Sequence, residues 1–244
     1  MSKNILISVS YGATADALTA DIGRIEQTMQ AAFPAWELRR AFTSARVRAA
    51  SARQGQPVPS PAEAIAQAKA DGAENIALVA LLVSPGGEFE ETEAAAAQLP
   101  VATPLLTDPQ DLDTLAAYYA GMQQALDTPL LIMGHGHPTN GNPAYLRLRD
   151  RLPQGVYLGC LSGEPNLAQV LPALLAQPAR KITVTPLLMS VGGHTLCDMA
   201  GDAPESWRSQ LTQAGFDVQC QLTGIGRLPV VQQIFVRKLH AVIG

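Results

Sequence analysis

Three of the four histidines, His135, His137 and His194, fall directly after apolar runs that read as strands. His135 stands in Met133-Gly134-His135-Gly136-His137-Pro138, and His194 follows Gly192-Gly193. Flanking glycines let the backbone turn sharply and leave room above an imidazole for a bulky ligand. One such histidine is as well explained by a hydrogen bond within its loop. Two at corresponding strand ends suit a shared divalent ion, because neutral imidazole ligates borderline metals, and imidazole also takes up a proton near neutral pH. His137 is a candidate to orient one of the other two. His240, in the last helical segment, reads as a surface histidine at a helix C-terminus.

Glu88 opens the run Glu88, Glu90, Glu91, Glu93. Most of that run reads as solvated carboxylates at a helix start, where the helix dipole favours them. An internal repeat singles out Glu88. Leu78 to Glu88 aligns with Val184 to His194 at a constant offset of 106 residues, sharing Leu-Leu-x-Ser-x-Gly-Gly, so that Gly86-Gly87-Glu88 corresponds to Gly192-Gly193-His194. A weaker match sets Ser10-Tyr11-Gly12 against Gly134-His135-Gly136. Five arginines, Arg39, Arg40, Arg46, Arg48 and Arg53, gather around the end of the second apolar run. Only Phe42 interleaves them, which argues against base stacking. Arginine grips carboxylates bidentately, so a site for carboxylates of a small molecule fits, as does a solvated helix face. No Gly-x-Gly-x-x-Gly follows the first run and no Walker motif occurs, so dinucleotide and nucleoside triphosphate sites find no support.

The elements that must hold these residues follow from periodicity. Apolar runs rich in Val, Ile and Leu predict strands at 4–9, 35–42, 74–83, 101–106, 129–133, 156–161, 181–188 and 216–222, alternating with helical segments. This is the pattern of parallel βα units. The first helix shows its buried face in Leu18, Ile22, Ile25, Met29 and Phe33, ended by Pro34. The last shows its own in Leu228, Val231, Phe235, Leu239 and Val242. The repeat predicts an α/β fold of two similar domains, 1–125 and 126–244, each a parallel sheet flanked by helices, facing across a cleft bordered by the strands' carboxyl ends.

With 244 residues, 47% apolar, 16% charged and only 5% aromatic, the chain builds its core from aliphatic side chains. A net charge of −4 argues against a nucleic-acid partner. The longest apolar runs fall far short of a bilayer span, and Ile5-Leu6-Ile7 is too short for a signal sequence, so no membrane partner and a cytoplasmic location are expected. Cys160, Cys197 and Cys220 form no Cys-x-x-Cys pair and read as reduced, buried small hydrophobes. The sequence leaves a homo-oligomer open.

Taken in order, Ser10-Tyr11-Gly12, Arg40-Ala41-Phe42-Thr43-Ser44, Met133-Gly134-His135-Gly136, Gly159-Cys160-Leu161-Ser162-Gly163-Glu164-Pro165, and Pro186-Leu187-Leu188 through Gly193-His194 to Asp198-Met199-Ala200 and Ser206-Trp207 resemble a known family. They are similar to the anaerobic cobalt chelatases of cobalamin and sirohaem synthesis, the sirohydrochlorin cobaltochelatases, in the superfamily that includes class II ferrochelatases. The resemblance covers essentially the whole chain.

It implies insertion of a divalent metal, cobalt or alternatively nickel or iron, into a flat, carboxylate-rich tetrapyrrole, with the metal as substrate and no organic cofactor. His135 would be proton acceptor and metal ligand, and His194 the second ligand. The family's third ligand is a glutamate in a pattern like Val-Glu-Gly-Tyr-Pro; here Ser162 stands in its place, and Glu164, two residues on, is the nearest carboxylate. Glu164 or Glu88 would complete the ligand set, with Glu88 also relaying a proton. Tyr11, Arg40, Arg46, Ser162, Gly86 and Gly87 would bind the substrate. Loss of the glutamate keeps open a non-catalytic carrier of tetrapyrrole or metal. A two-lobed solute-binding module shares the architecture but would need an export signal.

Overall fold

The computed structural model describes residues 2–13 and 16–244, with side chains in the first helix from Ala20 onward. All eight expected strands form, and they divide into two four-stranded parallel sheets. The first comprises β1 (Asn4–Ser10), β2 (Trp36–Phe42), β3 (Asn75–Ala80) and β4 (Val101–Ala102) in the order β2-β1-β3-β4. The second comprises β5 (Leu130–Gly136), β6 (Val156–Ser162), β7 (Lys181–Leu187) and β8 (Asp217–Cys220) in the equivalent order β6-β5-β7-β8. The repeat read from sequence is therefore a repeat of topology.

Helices α1 (Asp16–Ala32), α2 (Ala45–Arg53), α3 (Pro61–Ala70), α4 (Gly87–Ala96) and α5 (Pro109–Leu126) belong to the first half of the chain. The second half carries α6 (Pro143–Arg149), α7 (Leu167–Leu175), α8 (Trp207–Gln213) and α9 (Pro229–Ile243), with a π-helical turn at His194–Met199. Helices on both faces make the central strands continuous apolar runs rather than alternating ones: Ile5, Leu6, Ile7 and Val9 in β1, and Leu130 to Met133 in β5, are buried. Ile22, Ile25, Met29 and Phe33 form the buried face of α1 as their spacing predicts, while the side chain of Leu18 lies outside the described residues.

Three expectations are corrected. The chain does not divide into halves near 126. One compact unit runs to Thr107 and includes Gly226–Gly244, and the other is Asp108–Ile225. α9 thus belongs to the first unit, where Gln232 accepts from Thr28 of α1 at 3.1 Å and His240, exposed as expected, sets its ring against Phe33. β4 is two residues long rather than six: Pro104 has no N–H to donate to a ladder, and the amides of Leu105 and Leu106 bond Leu82 and Val83 instead. Of the cysteines only Cys160 is buried, and burial pushes its thiol up to about 12; Cys197 is exposed on the π-helical turn, and Cys220 is half-buried. No helix among the described residues is long and apolar enough to cross a membrane.

Candidate metal centre

In a sheet of order 2-1-3-4 the connections leave the central strand in opposite directions, and a crevice opens between the two central strands at their carboxyl ends. In the second unit those strands are β5 and β7. His135 lies near the end of β5, and His194 follows β7 as the first residue of the π-helical turn. Their rings come together, with centroids 4.8 Å apart and planes at 75°. Metal–nitrogen bonds of about 2.1 Å place two imidazole centroids on one ion roughly 4.5–5.2 Å apart for octahedral to tetrahedral angles. The observed separation lies inside that range.

The hydrogen bonds select the tautomer. His135 Nδ1 lies 2.8 Å from the carbonyl oxygen of Gly136, which can only accept, so Nδ1 carries the proton. His194 Nδ1 donates to Asp198 Oδ2 at 2.6 Å. In the neutral imidazole this tautomer leaves Nε2 as the acceptor nitrogen, the one that ligates a metal or takes up a proton. Both side chains are exposed to an incoming ligand. π-helical turns concentrate at functional sites, and this one carries both His194 and the carboxylate that orients it. Asp198 stands four residues on from His194, and that spacing is the sequence signal for the contact. Replacing Asp198 with alanine is expected to weaken Co2+ binding roughly 10–100-fold, as loss of a carboxylate behind a metal-bound imidazole does elsewhere. Asp198→Asn, which keeps an acceptor, falls between. Titration of purified protein with Co2+ checks the order.

The loop bearing His135 is locked to the loop after β6. Ser162 pairs with Gly136 in the β5–β6 ladder. Gly136 has φ +71°, and a Cβ there would lie 2.1 Å from the carbonyl oxygen of Ser162. Gly163, at φ +72°, approaches His137 as closely, with a Cβ 2.2 Å from its carbonyl oxygen. His137 is spent inside its own loop, its Nδ1 facing the amide and hydroxyl of Thr139 at 3.3 and 3.2 Å. It orients neither of the other histidines.

Glu164 does not join the pair. Among the described residues of the second unit no Cys, Asp or Glu completes His135 and His194 into a three-ligand group. Glu164 is exposed and lines a separate groove of about 730 Å³ with Pro138, Thr139, Arg149, Tyr157 and Gln169. The tight Gly136–Ser162 approach and the Gly163 turn carry its side chain to that groove. Ser162 is half-buried at the end of β6.

In the first unit, Tyr11 is an exposed aromatic immediately after β1, and Glu88 sits exposed in the first turn of α4. No hydrogen bond or ion pair among the described residues engages the Glu88 carboxylate. A Cβ at Gly86 or Gly87 would meet nothing within 4 Å, so neither glycine is required by packing. Glu90, Glu91 and Glu93 are exposed, as a solvated helix start predicts.

The arginine cluster separates into two groups. Arg40 is committed internally: its Nε donates to Glu26 Oε1 at 2.9 Å and its Nη2 to Glu26 Oε2. Glu26 is buried and also accepts from Ser8 Oγ at 2.5 Å. Hydrogen bonding to Glu26 holds the guanidinium pKa above its ordinary value. Arg40 thus ties β2 to α1. Arg39 pairs with Glu37 and Asp71, and Arg48 donates to the carbonyls of Phe42 and Thr43. Arg46 and Arg53, both exposed on α2, have no partner among the described residues. Arg40→Met strands a buried carboxylate, so it is expected to cost roughly 3 kcal/mol of stability while leaving the KM for a carboxylate-bearing substrate unchanged. Urea denaturation with steady-state kinetics checks both.

The fold and the paired imidazoles define a class: a two-unit parallel α/β protein with two histidine rings set together at the strand ends of one unit. The sequence profile of the cobalt chelatase family (CbiK) matches residues 3–244, and the chain belongs to that family. It is similar to the sirohydrochlorin cobaltochelatase of Salmonella typhimurium, 27% identical over 98% of this chain and 96% of that one. It is also similar to sirohydrochlorin cobaltochelatase CbiKC of Nitratidesulfovibrio vulgaris, 26% identical over 100% of this chain and 92% of that one. Among solved structures it shares the fold of SirB from Bacillus subtilis with Fe3+, at TM-score 0.60 and 16% identity over 98% and 94% of the two chains. The cobalt complex of the sirohydrochlorin chelatase SirB from Bacillus subtilis subspecies spizizenii matches at TM-score 0.62 with the same identity and coverage.

Proposed function

We propose that this chain is a sirohydrochlorin cobaltochelatase, inserting a divalent metal, Co2+ before Ni2+ or Fe2+, into sirohydrochlorin or a closely related carboxylated tetrapyrrole. The observation that carries the reading is the pairing of His135 and His194 with both Nδ1 atoms occupied and neither Nε2 engaged among the described residues. Membership of the cobalt chelatase family and relatives that are sirohydrochlorin cobaltochelatases support the substrate.

Insertion exchanges two pyrrole N–H protons for one M2+ and releases two H+, so the reaction needs a metal donor and a base within hydrogen-bond reach. His135 and His194 hold the metal through Nε2. As the metal passes to the macrocycle nitrogens, His135 is freed to accept the first pyrrole proton at that Nε2. Glu88, at the repeat position of His194 and with its carboxylate unengaged, relays the second. Tyr11, Gly86, Gly87 and Ser162 bind the flat macrocycle, and Arg46 grips a peripheral carboxylate. With no carboxylate among the described residues completing a three-ligand group with the histidines, the metal is held by few protein ligands. That suits a substrate which must leave.

The test mixes purified protein with sirohydrochlorin and Co2+ and follows the absorbance of the metallated product. Acceleration over the protein-free rate supports the reading. Binding of tetrapyrrole or metal without acceleration would mean a carrier.

A further inference from the structure

Resting on the chelatase reading, we infer that Asn142 is a positioning residue for the metal-binding histidine loop, acting as a clamp between the His135 loop and the Ser162–Pro165 loop. Asn142 precedes α6 at the position where an asparagine ordinarily spends its side-chain oxygen capping the helix. It makes no such cap, and its backbone is left-handed, at φ 51°. Its amide is directed elsewhere. Oδ1 accepts from the amide of His137 at 2.6 Å, while Nδ2 donates to the carbonyls of Ser162 and Glu164, each at 2.9 Å. The residue is 2% exposed, so its own end of each bond is shielded from water.

A helix cap and a relaxed backbone are both given up at this position. Such losses are retained where the surrounding structure gains something from the geometry. What is gained is a cross-link two residues beyond His135. Asn140 supports it, its Oδ1 accepting from the amide of Asn142 at 2.9 Å. Gly136 and Gly163 bring the two loops to backbone contact, and Asn142 satisfies the carbonyls on either side of Gly163. Without the amide the Gly136–Ser162 ladder pair alone ties the first loop to the second, and the His135 ring loses its set distance from His194. Asparagine supplies an acceptor and two donors on one short planar group; aspartate supplies only acceptors, and would face two carbonyl oxygens with none to give.

The experiment compares wild type with Asn142→Gly, which keeps the left-handed backbone and removes the amide, and Asn142→Asp, which keeps the acceptor and removes the donors. Co2+ affinity is measured by direct titration, the KM for Co2+ and for sirohydrochlorin by steady-state insertion assays, and the folded fraction by urea denaturation. Both variants are expected to bind Co2+ about tenfold or more weakly and to raise the KM for Co2+ alike, since small misplacement of a reacting group costs factors of this size. The KM for sirohydrochlorin, to whose binding Ser162 is one contributor among several, rises less than the KM for Co2+. The inference is overturned if Co2+ affinity per folded molecule equals that of wild type, whatever the loss of stability. Should the wild-type protein bind Co2+ but fail to accelerate insertion, the chelatase reading falls, and the titration still decides the role of Asn142.

Discussion

Replacing His135 with alanine is expected to reduce metal insertion into sirohydrochlorin by roughly 10²–10⁴-fold, the range that a positioned proton acceptor contributes. The side chain is exposed and its one hydrogen bond is to the neighbouring carbonyl, so stability should change by no more than about 0.5 kcal/mol. This combination separates a chemical role from a structural one. His194→Ala should lower insertion as well, through lost metal affinity. With the proposed shared ion, the double variant should be little worse than His135→Ala alone. Insertion rates at saturating tetrapyrrole, with Co2+ varied, check all three. Near-normal turnover by His135→Ala would remove the assignment.

Gly136→Ala should fail for a different reason. Its Cβ would lie 2.1 Å from the Ser162 carbonyl oxygen and 2.7 Å from Cys160 Cβ, at a φ of +71°. The first obstacle is backbone and cannot rotate away, so either the ladder between β5 and β6 opens or the His135 loop shifts. A loss of roughly 3 kcal/mol or more is expected, at the upper end of single substitutions. Insertion activity should be lost even in the molecules that remain folded. Gly141 provides the control. It has φ +68° but nothing within 4 Å of a Cβ, so alanine there pays only the left-handed backbone cost of about 1 kcal/mol. Equal urea midpoints for the two variants would contradict the account.

The juxtaposition of His135 and His194 was legible in the sequence because loops after parallel strands face the ligand end of a sheet, and the repeat set His194 in register with another such loop. The strands were legible because burial on both faces leaves a continuous apolar run. What stayed hidden depends on pairing in space. The apolar face of α9, with Val231, Phe235 and Leu239, shows that the helix is buried but carries no mark of which sheet receives it. Arg40 resembles its free neighbours; only the fold brings Glu26 of α1 beneath it, and so distinguishes an internal tie from a site for ligand carboxylates. Glu164 was the nearest carboxylate along the chain, yet the Gly163 turn points it into another groove. Asn142 carries no sequence signal, since an asparagine before a proline-started helix reads as an ordinary cap.

The most direct measurement is the X-ray absorption spectrum of Co2+ bound to the purified protein, which counts imidazole nitrogens on the metal. Two are expected for the wild-type chain, at about 2.0–2.2 Å, and one for either His135→Ala or His194→Ala. A wild-type ion carrying one imidazole or none would contradict the shared site on which the proposed chemistry depends.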